Sequence, residues 1–85
     1  MKVANYEIVK MEVYKTTDKH CNGIAFGIHP SENCPARYAT WEYTENHDTG
    51  DFSAFWGHYF DNFTEAQRDF HIRLANYYDK PWEVM

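Results

Sequence analysis

Apolar and polar residues alternate over four stretches of the chain. A period of two residues is typical of β-strands, and all four stretches are rich in β-branched or aromatic residues. The predicted strands are residues 6–15, 24–29, 37–45 and 52–60. Because the connecting segments are short, we expect the strands to pair antiparallel, in chain order.

Turn-forming residues separate these strands. The polar segment 16–23 ends in Asn22-Gly23, a dipeptide typical of tight turns. The prolines of segment 30–36 break the chain before the third strand. Segment 46–51 is polar and contains a glycine, so it is predicted to be a hairpin loop.

The same alternation assigns side chains to the two faces of the sheet. In the first strand, one face holds Val9, Met11 and Val13, and the other holds Tyr6, Ile8 and Tyr14. In the third, Ala39, Trp41 and Tyr43 oppose Tyr38, Thr40, Glu42 and Thr44. In the fourth, Phe52, Ala54, Trp56, His58 and Phe60 oppose Ser53, Phe55, Gly57 and Tyr59. Rings on both faces suggest that the fourth strand is covered on both sides or lies in a contact surface.

Two residues of the fourth strand are unusual in that setting. Gly57 weakens a strand unless a bulge or a close approach requires it, and we expect Trp41 to lie across the sheet there. We expect His58 to be a hydrogen-bonded core or edge histidine rather than a functional one.

A helix follows the last strand. Thr64 and Gln67 have the spacing of a capping box, and Pro81 ends the helix. Its apolar stripe is Ala66, Phe70, Leu74, Tyr77 and Tyr78. The rest of its surface is charged and includes a favourable i,i+4 pair, Asp69 with Arg73.

These elements predict an α+β fold. Residues 1–85 are expected to form one small domain, a four-stranded antiparallel meander with one C-terminal helix packed on one face. We expect the tail, residues 82–85, to fold back because Trp82 is costly to leave exposed.

Aromatic residues dominate the apolar composition. The chain has three Trp, seven Tyr and six Phe but only one Leu. Each ring buries about 150–250 Å², so the core must be built mainly from rings. A domain this small can hardly hide so many, and we expect some of them to form an exposed patch.

The charge excludes some partners. The formal net charge is −5, and residues 46–85 carry most of the excess, with three basic and seven acidic side chains. An acidic surface repels phosphates, so duplex nucleic acid is an unlikely partner, whereas a basic protein surface would be attracted. No apolar run approaches the roughly 20 residues of a membrane span, and residues 1–10 lack a signal-peptide stretch. We therefore expect a cytoplasmic protein without a membrane partner.

Catalytic and cofactor motifs are not evident. The candidate metal ligands His20, Cys21, His29 and Cys34 lack the spacing of a zinc site, and a zinc-dependent fold is the weakest alternative. There is no nucleophile elbow and no glycine-rich phosphate loop. The expectation is no enzyme, no metal and no cofactor. Two reduced thiols are expected, although a bridge between the two cysteines stays geometrically open.

Part of the chain resembles a known family. The segments that carry the resemblance are Tyr38-Ala39-Thr40-Trp41-Glu42-Tyr43, Trp56-Gly57-His58-Tyr59-Phe60, and Ala66, Asp69-Phe70 and Arg73. Together they are similar to a family of small uncharacterised bacterial proteins, often carried on conjugative or phage-like elements of gut bacteria. The resemblance covers residues 38–85 and implies no catalytic residue. It implies an accessory protein that acts on a host or defence factor.

The leading hypothesis is a non-enzymatic protein-interaction module. It would present rings and carboxylates from the sheet face opposite the helix, or from the 46–51 hairpin. The candidate contact residues are Tyr38, Glu42, Asp48, Asp51, Phe55 and Tyr59. A homodimer through the free aromatic face is compatible with this hypothesis.

The alternative hypothesis is single-stranded nucleic-acid binding, with bases stacked on Tyr38, Trp56 and Tyr59. Such surfaces carry basic residues, and Arg37 is the only Lys or Arg in residues 20–67.

Overall fold

A computed structural model describes residues 1–78. The elements are β1 (Lys2–Val3), β2 (Tyr6–Thr16), β3 (His20–Ile28), β4 (Tyr38–Asn46), β5 (Phe52–Phe60) and α1 (Phe63–Tyr78). All neighbouring strands pair antiparallel in the order β1-β2-β3-β4-β5, and the sheet curls into a half-barrel. The predicted α+β class is confirmed, together with the antiparallel sheet and C-terminal helix. The predicted number of strands is wrong, because there are five rather than four.

The additional strand is β1, which forms a hairpin with β2. Ala4 and Asn5 connect the two strands with positive φ angles of 49° and 70°, as the twist of a two-residue hairpin favours. Val3 pairs with Tyr6 across this turn. A strand of two residues is too short to show a period of two, so alternation could not reveal it.

The turn between β2 and β3 lies earlier than predicted. The backbone nitrogen of Thr17 donates to the carbonyl of His20 at 2.8 Å, which closes the turn at residues 17–20. The predicted turn at Asn22-Gly23 is wrong, because both residues lie inside β3. A Cβ on Gly23 would lie 2.7 Å from the ring of Tyr43. The glycine therefore serves close packing within the sheet, not a turn.

Bulges change which face each side chain occupies. The β2–β3 register shifts between Ile8 and Lys10 and again between Val13 and Lys15. Because directly paired residues share a face, these shifts place Met11 and Val13 on the same face as Ile8. The predicted faces of this strand are therefore wrong.

A third bulge lies in β5, where Trp56 and Gly57 together oppose one residue of β4, Trp41. A Cβ on Gly57 would lie 2.7 Å from Nε1 of Trp41, so the expectation that Trp41 crosses the sheet at a glycine is confirmed. Phe52 packs on one side of the sheet and Phe60 on the other. The predicted single face that held both rings is wrong, because the bulge reverses the alternation between them.

Two cores lie on the two faces of the sheet. The helix-side core contains Ile24, Phe26, Ala66, Phe70 and Leu74, with partly buried Tyr14, Ile28, Tyr38, Phe60 and Tyr77 packed against it. The outer-face core contains Tyr6, Cys21, Ala25, Ala39, Trp41 and Tyr43, with partly buried Val3, Ile8, Phe52 and Ala54 packed against it. Four aromatic rings thus pack in the outer-face core and six beneath the helix, so the curled sheet also packs rings on the face that α1 does not cover.

The helix begins at Phe63 and is capped by Asn62. Its Oδ1 accepts a hydrogen bond from the backbone nitrogen of Glu65 at 3.1 Å. The predicted capping box from Thr64 is wrong, since Thr64 already lies inside the helix. The predicted helix end at Pro81 and the tail at Trp82 lie outside the described residues. No helix within residues 1–78 is long and apolar enough to cross a membrane.

Candidate functional site

The structure separates the six predicted contact residues. Tyr38 and Glu42 lie beneath the helix, half-buried and buried, and Phe55 pairs with Glu42 on that same face. Their predicted position on the face opposite the helix is therefore wrong. Tyr59 lies on the outer face and is 52% exposed. Asp48 and Asp51 are exposed between β4 and β5.

A polar cluster centred on Arg73 lies between the helix and the sheet. Arg73 is only 7% exposed, and its Nη1 donates to Oγ1 of Thr40 at 2.9 Å. Its Nη2 donates to the backbone carbonyl of Trp56 at 2.7 Å. We expected Arg73 on the solvent side of the helix, which is wrong. The signal that could have found it is its position seven residues after Ala66, within the apolar stripe.

Two carboxylates accompany this guanidinium. Oε2 of Glu42 lies 3.7 Å from Nη2 of Arg73, and Oδ2 of Asp69 lies 4.0 Å from Nη1. The predicted pair of Asp69 with Arg73 is therefore confirmed. Thr40 donates its hydroxyl to Asp69 at 2.6 Å. With His58 counted as neutral, the cluster has one negative charge in excess.

Two tyrosines orient the carboxylate of Glu42. The rings of Tyr14 and Tyr77 stack at a centroid distance of 3.9 Å, and both hydroxyls donate to Oε1 of Glu42. Burial raises the pKa of both phenols, and the nearby Glu42 charge raises each further. Both groups therefore stay protonated as donors at neutral pH.

His58 lies at the rim of this cluster. Its Nδ1 is 3.0 Å from Oδ2 of Asp69, and its side chain is 52% exposed. The prediction of a hydrogen-bonded edge histidine is confirmed.

A cleft of about 550 Å³ opens beside the cluster. Its lining residues are Glu42, Trp56, His58, Arg73, Asn76 and Tyr77. Trp56 is 68% exposed and has a left-handed backbone, with φ at 55°. Such a conformation costs a non-glycine residue about 1–3 kcal/mol. The hydrogen bond from Arg73 to the Trp56 carbonyl helps to hold this backbone conformation. The structure therefore keeps a strained backbone at a position where the Trp56 ring is exposed to solvent.

No protein-family model, curated protein or solved structure matches this chain. What the site can do must therefore be argued from its own geometry. Within residues 1–78, no three His, Cys, Asp or Glu side chains are grouped as metal ligands. Cys21 and Cys34 are both free thiols. Burial raises the pKa of the Cys21 thiol, and Glu45 raises it further, so Cys21 is a poor nucleophile at neutral pH.

The two outer strands of the sheet differ in charge. β5 pairs with β4 on one side, and no strand among residues 1–78 pairs with its other side. Its nine residues include no Asp, Glu, Lys or Arg. β2 pairs with β1 near its beginning and carries Lys10, Glu12 and Lys15 farther along. Charged side chains discourage the pairing of an edge strand with another chain, so β5 is the unprotected edge.

Proposed function

We propose that this chain is a non-enzymatic protein-interaction module that binds an extended segment of a partner protein along β5. The observation that carries the proposal is an uncharged edge strand of nine residues that displays Trp56, His58 and Tyr59 to solvent. An added strand would pair along the side of β5 on which no strand of residues 1–78 pairs, and exposed rings would supply apolar contact.

The charge around β5 favours a basic partner. Asp48 and Asp51 precede the strand and Asp61 follows it, all of them exposed. The whole chain carries a net charge of −5. Complementary charge increases the rate of encounter and disfavours acidic competitors. That the partner is a host or defence factor met by a mobile element stays a prediction.

Two lysines on the β5 edge should abolish partner binding. Ser53→Lys with Tyr59→Lys places charge on an edge that now has none, and charged edges resist strand addition. The matched control is Val9→Lys with Met11→Lys, which adds the same charge at exposed positions of β2. Partners would be captured from nuclease-treated lysate and identified by mass spectrometry.

We expect the control to retain the partner and the β5 variant to lose it, with both variants folded by circular dichroism. Equal retention by both variants would contradict the proposal. A mass from light scattering that shows a dimer, reduced to a monomer by the β5 lysines, would identify the occupant of the edge as a second copy.

Reversing the acidic residues before β5 should weaken binding without abolishing it. Asp48→Lys with Asp51→Lys changes the net charge from −5 to −1, since each reversal adds two. We expect affinity for the captured partner to fall about tenfold at low salt, mainly through the association rate, and to depend less on salt. The control, Glu12→Lys with Glu32→Lys, makes the same charge change at exposed positions away from β5. Surface plasmon resonance at two salt concentrations measures both effects, and equal losses would show that only the total charge matters.

Single-stranded nucleic acid is the alternative occupant. Trp56 and Tyr59 are exposed and could stack on bases, whereas Tyr38 packs beneath the helix. Capture that disappears after nuclease treatment would favour this alternative over the proposal.

A further inference from the structure

We infer that the cleft beside Trp56 binds a cationic side chain, the ammonium of a lysine or the guanidinium of an arginine, carried by the segment that adds to β5. The inference rests on the proposed function, because it specifies the chemistry of the partner at the same edge. It depends on three features of the cleft: a buried carboxylate, an excess of negative charge, and an exposed indole at the mouth.

The buried carboxylate is Glu42. Its side chain is 9% exposed, and it lines the cleft. Oε1 accepts from the hydroxyls of Tyr14 and Tyr77. Oε2 lies 3.7 Å from Nη2 of Arg73, which is beyond hydrogen-bonding distance. Oε2 is therefore the oxygen that a further donor can approach from the cleft, and a charged donor there would make a strong hydrogen bond.

The charges select a cation over an anion. Glu42 and Asp69 oppose the single guanidinium of Arg73. That guanidinium already donates to Thr40 and to the carbonyl of Trp56. An anion in the cleft would be repelled by the two carboxylates, and the guanidinium of Arg73 already donates to other groups. A cation would instead balance the excess negative charge.

The indole of Trp56 completes the site. Tryptophan gives the strongest cation–π attraction among the aromatic residues, and Tyr77 lines the same cleft. A strand residue paired directly with His58 would share its face, and His58 also lines the cleft. The geometry of strand addition thus directs one side chain of the partner toward Glu42. It also gives a role to the strained backbone of Trp56, which presents the ring at this position.

Small probes test the cleft without strand addition. Nα-acetyl-lysine N-methylamide and its arginine analogue are titrated into ¹⁵N-labelled protein, with the norleucine analogue as the uncharged control. We expect the cationic probes to shift the indole resonance of Trp56 and the guanidinium resonances of Arg73, and the norleucine probe to shift neither. Equal shifts from all three probes, or shifts located away from the cleft, would overturn the inference.

Variants show which side chains bind the cationic probes. Trp56→Leu removes an exposed ring and should lower the affinity for the lysine probe at least fivefold. Glu42→Gln should lower that affinity further. If the Glu42→Gln protein does not fold, the titration of Trp56→Leu alone decides whether the inference holds. Phe63→Leu is the matched control, an exposed ring at the first position of the helix that does not line this cleft, and it should leave the titration unchanged. An unchanged titration in Trp56→Leu would also overturn the inference.

Strand-forming peptides separate this inference from the proposed function. Short peptides of alternating valine and threonine are compared with lysine, acetyl-lysine or leucine at the central position. Binding of the lysine peptide alone supports both proposals. Equal binding of all three supports strand addition and overturns the cationic site. If no peptide binds although the lysine probe shifts Trp56, the cleft is a cation site and strand addition is overturned.

Discussion

Arg73→Met should lower the free energy of unfolding by about 3–5 kcal/mol, the cost of removing one partner from a buried ion pair. The variant leaves the buried Glu42 without its cation, and the carbonyls of Thr40 and Trp56 without their donor. For a chain of this size, that loss is a large part of the expected total stability. Urea denaturation followed by circular dichroism measures it directly.

Two further variants show whether the ion pair is the cause. Arg68→Met removes a charge from the exposed side of the same helix and should change stability by no more than about 0.5 kcal/mol. Arg73→Met combined with Glu42→Gln should recover part of the loss, because an amide can still accept from both tyrosines without a buried charge. A loss in Arg73→Met no larger than in Arg68→Met would show that the cluster does not stabilise the fold.

Alternation of apolar and polar residues predicted the positions of the main strands well, but it predicted poorly which face of the sheet each side chain occupies. β4 has no residue in a left-handed conformation, and both of its faces were correctly assigned. β2 and β5 contain bulges, and each bulge exchanges the faces of the residues beyond it. A bulge depends on how two strands fit together, so a single strand's pattern does not reveal its position, except where a glycine such as Gly57 marks it.

The centre of the candidate site was missed for a related reason. Charge alone placed Arg73 on the solvent side of the helix, although helical periodicity put it within the buried stripe. Glu42 was singled out from the sequence, but as an exposed contact. An acidic residue in the middle of β4 and a basic residue on the buried side of the helix compensate each other, and that pairing is visible only after the helix is placed on the sheet. When two oppositely charged residues occupy predicted core positions on facing elements, they should therefore be considered together as a buried pair.

The outer-face core should matter as much as the core beneath the helix. Trp41→Ala is expected to lower the free energy of unfolding by about 3–5 kcal/mol, as for other buried aromatic truncations. Trp41 is 3% exposed, and its ring packs edge-on against those of Tyr6 and Tyr59. It also lies over Gly57, where no side chain could fill the space left by alanine. No helix covers this face within residues 1–78, so among these residues it is the curled sheet that excludes water from the ring.

Trp56→Ala is the matched control for this prediction. Trp56 lies opposite Trp41 in the neighbouring strand but is 68% exposed, so its truncation should change stability by no more than about 0.5 kcal/mol. Fluorescence separates the two indoles independently of stability, since loss of Trp41 should remove blue-shifted emission and loss of Trp56 red-shifted emission. Similar costs for the two truncations would mean that the outer face is not a core in solution. The large cost expected for Trp41 and the small one for Trp56 would instead show that the sheet buries one indole for stability and leaves the other in solvent.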